Sequence, residues 1–144
     1  MYKYESICQI VRGSFSNVNS KDPNVLSPIV LAYIGDAVYD LFVRSYVVSI
    51  KNYTPNILHK ASSKIVCAKS QAIAFSYVQN FLSEEELKIY QRGRNGHSTC
   101  PKNCNKTDYR TATGFEALIG YLYLCDRDDR ICLIMSKVLE NVAI

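Results

Sequence analysis

The sequence lacks the features that would place a chain in a membrane or direct it out of the cell. No apolar run reaches about 18 residues without a charge, so we expect no membrane-spanning helix and no membrane partner. The N-terminal segment MYKYESICQIVRGSF mixes charged with apolar residues, which is not the layout of a signal peptide. We therefore predict a cytoplasmic protein whose six cysteines are reduced thiols.

Sustained alternation of apolar and polar residues, internal repeats and low-complexity tracts are also missing. Without such alternation we predict no strands, and the fold class is therefore all-α. A chain of 144 residues with 48% apolar and 21% charged residues is typical of one globular domain. We expect a poorly patterned N-terminal arm over residues 1–26 and a single domain over residues 27–144.

Helix start signals divide this domain. Ser27-Pro28 and Thr54-Pro55 each combine an N-cap residue with proline at the first helical position, and Ser83 with Glu86 forms a capping box. Apolar residues follow each signal at steps of three and four. The predicted helices are one turn near Tyr4–Val11, a helix from Pro28, a long one from Pro55 with a break before Phe81, and others over 83–91, 111–125 and 129–142. Residues 93–109 are predicted to form a long loop.

Positive charge is concentrated in two stretches of the chain. The 17 Lys and Arg residues and 13 Asp and Glu residues give a net charge of +4. The stretch from Arg92 to Arg110 contains five bases and one acid, an excess equal to that net charge. A second stretch, from Arg44 to Lys69, contains no acid. Segregated charge of this kind favours a surface that faces a polyanion.

Asp36 is an unusual residue for its position. It lies in the middle of a predicted helix, between Gly35 and Ala37 in the segment LAYIGDAVYD. A carboxylate is costly to bury unless it is paired or binds a metal, and small neighbours allow another helix or a ligand to approach. An exposed helical aspartate is the alternative interpretation. Asp40, one turn further on, is expected to form an ion pair with Arg44.

Glu116 is the second unusual acid. It is the only charge between Arg110 and Asp126, in a helix that is apolar on nearly every side, and no base lies three or four residues away. Its partner must therefore be tertiary: a Lys or Arg, another acid that shares a proton, or a cation. Two such acids can converge on Mg²⁺, which prefers oxygen ligands and keeps several waters. A metal beside basic loops would suit the hydrolysis of a phosphodiester.

These segments resemble a known family. LAYIGDAVYD and GFEALIGYLYL resemble the two signature helices of the ribonuclease III family, while HKASSKIVCAKSQA and RGRNGHSTCPKN resemble more specifically its compact Mini-ribonuclease III group. That group lacks a double-stranded-RNA-binding domain. The resemblance covers about residues 26–126 and implies a dimeric, all-α endonuclease domain. It also implies an Mg²⁺-dependent endoribonuclease that cleaves double-stranded RNA to 5′-phosphate and 3′-hydroxyl ends, with a role in maturing large-subunit ribosomal RNA.

By this resemblance, Asp36 and Glu116 are the catalytic metal ligands, and no small-molecule cofactor is expected. Family members usually carry two further acids, at positions that are Ala32 and Thr113 here. Thr113 could hold a water in place of one acid. Asp40 could contribute a hydrogen bond in the outer shell of the metal, although its ion pair with Arg44 is the favoured interpretation. The missing acids leave open a second hypothesis, a catalytically silent RNA-binding or ribosome-assembly module.

A nuclease domain without a separate RNA-binding domain must hold its own substrate, mostly through phosphates and 2′-hydroxyls. A solvated basic surface is the alternative interpretation of these charges. His97, Cys100 and Cys104 supply three potential zinc ligands, but no fourth is adjacent, so we do not predict a zinc site. The candidate RNA-contacting residues are Arg92, Arg94, Lys102 and Arg110 in and around the loop, and Lys60 and Lys64 on the second basic stretch.

Overall fold

The computed structural model describes residues 6–15, 22–50, 52–96 and 99–142. These residues form seven α-helices and two short 3₁₀ helices and contain no strand, which confirms the predicted all-α class. No helix in these ranges is long and apolar enough to cross a membrane. The α-helices are α1 (Ile7–Ser14), α2 (Pro28–Ile50), α3 (Pro55–Val66), α4 (Ala68–Val78), α5 (Glu84–Arg94), α6 (Lys106–Leu124) and α7 (Asp128–Glu140), and the 3₁₀ helices are Pro23–Val25 and Gln79–Phe81.

Several helix boundaries differ from the prediction: α5 ends at Arg94 rather than near Gln91, and α7 ends at Glu140 rather than near Val142. The long helix from Pro55 breaks at Cys67, whose backbone is extended (φ −64°, ψ 156°), as well as before Phe81. The helix expected from Thr111 begins five residues earlier, at Lys106, because the Asn105 side chain accepts hydrogen bonds from the amides of the second and third helical residues. The basic loop between α5 and α6 is therefore shorter than predicted.

Helix α6 is the centre of the core. It packs most extensively against α2 and then against α5 and α4. From Ala112 to Tyr123 every residue is buried except Glu116, which is partly exposed. Phe115 contacts the rings of Tyr39 and Phe75 edge-on. The prediction that this helix is buried on nearly every side is confirmed.

Two glycines allow α2 and α6 to cross at backbone contact. A methyl group added at Gly35 would overlap the main-chain carbonyl of Glu116, and one added at Gly120 would overlap the main-chain carbonyl of Leu31. Neither obstacle is a flexible side chain that could turn away. The two helices can therefore keep this separation only with glycine at both positions.

Helix α1 is fastened to the C-terminal end of α6 and the start of α7. Arg12 of α1 forms ion pairs with Asp126 (2.5 Å) and Asp128 (2.8 Å) at the turn between α6 and α7. Its guanidinium also lies over the ring of Tyr123, 4.7 Å from the centroid. Helix α1 begins at Ile7, later than the predicted turn near Tyr4–Val11, and Tyr4 lies outside the described residues.

The glycine crossing gives the first prediction. We expect Gly120→Ala to lower the free energy of unfolding by about 3 kcal/mol or more, because the main chain of Leu31 must move to admit the methyl group. Gly13→Ala is the matched control, since a methyl group there meets no atom within 4 Å, and it should change stability by less than about 1 kcal/mol. Urea unfolding of both variants measures the difference. Equal effects would contradict a backbone contact between α2 and α6.

Candidate active site

The crossing of α2 and α6 brings the two unusual acids to one place. Asp36 directly follows Gly35, and Gly35 rests on the backbone of Glu116. Asp36 is exposed and Glu116 is largely buried, and the charge of Asp36 acts on Glu116. The structure thus pairs a solvent-facing carboxylate with a recessed one, on two different helices.

Glu116 is held by an amide rather than by a base. Gln71 of α4 donates a hydrogen bond from Nε2 to Glu116 Oε1 (3.0 Å) and another to the carbonyl of Val66 (3.1 Å). Within the described residues no Lys or Arg forms an ion pair with Glu116. The structural salt bridge that the sequence left open is therefore not found there.

The electrostatics of the pair oppose double ionisation. Burial raises the pKa of Glu116 from 4.5 to about 7, the hydrogen bond from Gln71 opposes this rise, and the charge of Asp36 adds to it. The pKa of Asp36 is raised as well, by partial burial and by the charge of Asp40. Ionising both of these neighbouring acids is costly, and a bound cation would lower that cost.

The donor set fits a hard divalent cation. Both side chains offer carboxylate oxygens, which are the ligands that Mg²⁺ prefers. In the part of the chain that the structure describes, no group of three or more His, Cys, Asp or Glu side chains is close enough to hold a metal ion. A cation at Asp36 and Glu116 would therefore complete its shell with water, which Mg²⁺ readily does.

Asp40 and Thr113, the two residues expected to assist the site, each form a hydrogen bond with another residue. Asp40 accepts a hydrogen bond from Arg44 Nε (2.8 Å), so the ion pair expected from their spacing is present. Thr113 is buried, and its hydroxyl donates to the carbonyl of Tyr109 (2.9 Å). Only the lone pairs of the Thr113 oxygen remain for a water.

The candidate RNA-contacting bases fall into two groups. The guanidinium of Arg92 donates to the carbonyls of Asn24 (3.4 Å) and Leu26 (3.2 Å), so it fastens the segment before α2 to α5. The other five are exposed and form no ion pair with described residues. They are Arg94 at the end of α5, Lys102 in the loop, Arg110 on α6, and Lys60 and Lys64 on α3.

The histidine and cysteines of the loop do not form a metal cluster in the described residues. His97 lies outside them. The thiol of Cys100 lies 3.5 Å from the carbonyl of Cys104, and no third ligand joins these two cysteines. The structure thus offers no argument for a zinc site here.

Gln71 is the side-chain hydrogen-bond partner of Glu116 among the described residues, and sequence reasoning missed it. It occupies a core-facing position of α4, three residues after Ala68 and four before Phe75, where the helical pattern calls for an apolar side chain. A polar residue in such a position indicates a buried hydrogen bond. The sequence alone does not show that its partner is forty-five residues away, on α6.

The comparisons with known proteins agree on one family. The Ribonuclease III domain family matches residues 29–127. Curated relatives named Mini-ribonuclease 3 include those of Clostridium tetani (47% identical, 83% of this chain and 81% of the relative) and Thermoanaerobacter (52%, covering 81% and 83%). That of Staphylococcus aureus is 42% identical over 86% of this chain and 96% of its own. A crystal structure of a Fusobacterium nucleatum protein superposes with a TM-score of 0.76 at 33% identity, covering 83% of this chain and 97% of that one.

The raised pKa of Glu116 predicts how stability depends on pH when no metal is bound. The folded chain keeps the Glu116 proton up to about pH 7, whereas the unfolded chain releases it near 4.5. The unfolding free energy should therefore fall as pH rises between these values, by about 3 kcal/mol. Glu116→Gln cannot ionise and should not show this loss, so it should be more stable than the wild type at about pH 8.

Urea unfolding in the presence of a chelator, repeated across this pH range, measures the effect. Glu140→Gln, which removes an exposed acid at the end of α7, is the control and should follow the wild-type profile. Parallel profiles for the wild type and Glu116→Gln would contradict the assignment of a buried, protonated Glu116.

Proposed function

This chain belongs to the ribonuclease III family, and from that premise we propose that it is an Mg²⁺-dependent endoribonuclease that cleaves double-stranded RNA with Asp36 and Glu116. One observation supports the assignment most directly. The two acids meet at a contact crossing of helices, without a basic partner among the described residues. A recessed carboxylate beside a solvent-facing one, with no basic partner among the described residues, is suited to a cation.

In this proposal Asp36 and Glu116 hold the metal, which when bound stabilises the charge that develops on the phosphate and lowers the pKa of a water. The protein residues provide the geometry. Gln71 fixes one oxygen of Glu116, and the exposed Asp36 carries the site to the surface, where a phosphodiester can reach it. The two acids that the family usually adds are absent here, so water takes their places.

The exposed bases act as the substrate grip. Arg94 is the last residue of α5, before the loop that contains Lys102, and Arg110 lies in the second turn of α6, the helix that carries Glu116. Lys60 and Lys64, one turn apart on α3, form a second candidate contact for phosphates. Because A-form RNA is recognised mostly through its backbone, such scattered bases can bind a duplex without reading its sequence. Arg92 contributes mainly by holding α5, from which the loop leaves, to the segment before α2.

A homodimer is part of the proposal because a duplex has two strands to cut. Helix α2 exposes an apolar stripe, with Tyr33 82% exposed and Val30 and Leu41 about half exposed. By helical spacing Asp36 lies at the border of this stripe. Two copies joined stripe to stripe would bury these side chains and place one acid pair on each side of a twofold axis.

The finer parts of the proposal follow the family. Cleavage would leave 5′-phosphate and 3′-hydroxyl ends, and precursors of large-subunit ribosomal RNA in the cytoplasm are the proposed substrates. The competing hypothesis, a silent RNA-binding or ribosome-assembly module, predicts binding to a duplex without cleavage. A single assay therefore distinguishes the two.

We expect the wild type to cut a long RNA duplex in Mg²⁺ and to stop when a chelator is added. Asp36→Asn and Glu116→Gln should each cut about a thousandfold more slowly, because a metal centre contributes several kcal/mol to catalysis. Gel electrophoresis of end-labelled duplex measures the rates, and Glu140→Gln should match the wild type. An intact duplex would favour the silent module, and full activity in both site variants would refute the site.

The basic grip predicts a change in the salt dependence of binding. In a Glu116→Gln background, in which cleavage should be too slow to disturb binding, Arg94→Gln, Lys102→Gln and Arg110→Gln together should reduce the slope of log affinity against log salt by roughly 2–3. Filter binding to a short RNA duplex measures this slope. Removing the same number of charges at Lys88, Arg127 and Lys137, outside the loop, is the matched control, and an equal effect would contradict a specific grip.

A further inference from the structure

Gln71 is a polar side chain with no access to solvent, at 0% exposed. A buried amide costs several kcal/mol unless it is hydrogen-bonded, so its position must be defined by its partners. Its Nε2 has two acceptors, the carbonyl of Val66 and Oε1 of Glu116. Its own oxygen is buried without a partner among the described residues. The orientation of the amide is thus set by the two acceptors alone.

The first of these acceptors belongs to a fixed piece of backbone. Because α3 ends at Val66 and Cys67 is extended, the last carbonyls of α3 lose their helical partners. Side chains from the start of α4 replace them: Ser70 Oγ donates to the carbonyl of Lys64 (2.5 Å), and Gln71 Nε2 donates to that of Val66. The amide of Gln71 is therefore tied to the end of α3 independently of Glu116.

The second acceptor is a carboxylate that has no other side-chain hydrogen bond within the described residues. A glutamate side chain has three rotatable bonds, so without a partner it would sample several rotamers. The bond to Gln71 holds Oε1 toward α4 and leaves Oε2 available to a ligand. The side chain is then already held in one rotamer before a metal binds, so binding costs no further side-chain entropy.

We propose that Gln71 is a positioning residue for the metal site, fixing Glu116 from the α3–α4 junction, and this inference rests on the proposed function. It predicts that Gln71 variants lose metal affinity and turnover rather than RNA affinity. A merely structural role would instead predict that any loosening of the junction has the same effect. Ser70 caps the same junction without contacting Glu116, so it separates the two possibilities.

The first measurement is Mn²⁺ binding to the metal-free protein, followed by electron paramagnetic resonance of the free ion. Gln71→Met keeps the length of the side chain and removes both hydrogen bonds, and it should weaken Mn²⁺ binding by about tenfold or more. Gln71→Asn keeps the amide but is one methylene too short to reach both acceptors, and it should behave similarly if Gln71→Met does not fold. Ser70→Ala, and Gln79→Met at an exposed glutamine, should bind as the wild type does.

The second measurement is steady-state cleavage. Gln71→Met should lower kcat and raise the Mg²⁺ concentration needed for half-maximal rate, each by about tenfold, with an unchanged KM for RNA. Wild-type metal affinity in both Gln71 variants, or an equal loss in Ser70→Ala, would overturn the inference while the proposed function stands. A wild type that neither binds Mn²⁺ nor cuts the duplex would refute the proposed function itself.

Discussion

The contact crossing of α2 and α6 is the constraint on which the rest of the molecule depends. Gly35 and Gly120 each accept the backbone of the other helix where a side chain would fit in most helix pairs. Each glycine costs its helix about 1 kcal/mol relative to alanine, and the close packing of an almost fully buried α6 offsets that cost. What the glycines provide is position: Asp36 is the next residue after one of them, and Glu116 lies one turn before the other.

The close approach of α2 and α6 also makes ionisation of Glu116 unfavourable when no positive charge lies beside it. Bringing α2 onto α6 removes water from Glu116 and brings Asp36 near, and both effects raise the Glu116 pKa. A fold that only needed stability would place an apolar residue here, as it does at the neighbouring positions Phe115 and Ala117. The retained acid is therefore better explained by binding than by stability. In the proposed function, binding of the cation would therefore be coupled to folding, because the cation would offset the charge that burial makes unfavourable.

The sequence predicts the parts of this arrangement that depend on local spacing. The all-α class, the capping box at Ser83 and the family resemblance are confirmed, and the two acids stand out because each interrupts an apolar pattern. Contacts between distant segments could not be predicted in this way. The bond from Gln71 to Glu116 depends on how α4 lies against α6, and the bond from Arg92 to Leu26 depends on how α5 meets the start of α2. Local spacing carries no information about either approach.

A second glycine contact relates the basic loop to the acids. Gly93, the residue before Arg94, packs against Gly114 and Ala117 of α6, which lie two residues before and one residue after Glu116. At the other end of the loop, Asn105 caps α6 itself. Both ends of the basic segment are therefore fixed to the helix that carries Glu116, whatever course the loop takes between them. In the proposed function, α6 therefore fixes the two ends of the basic segment relative to Glu116, so a phosphate backbone bound near those ends would lie close to the proposed metal ligand.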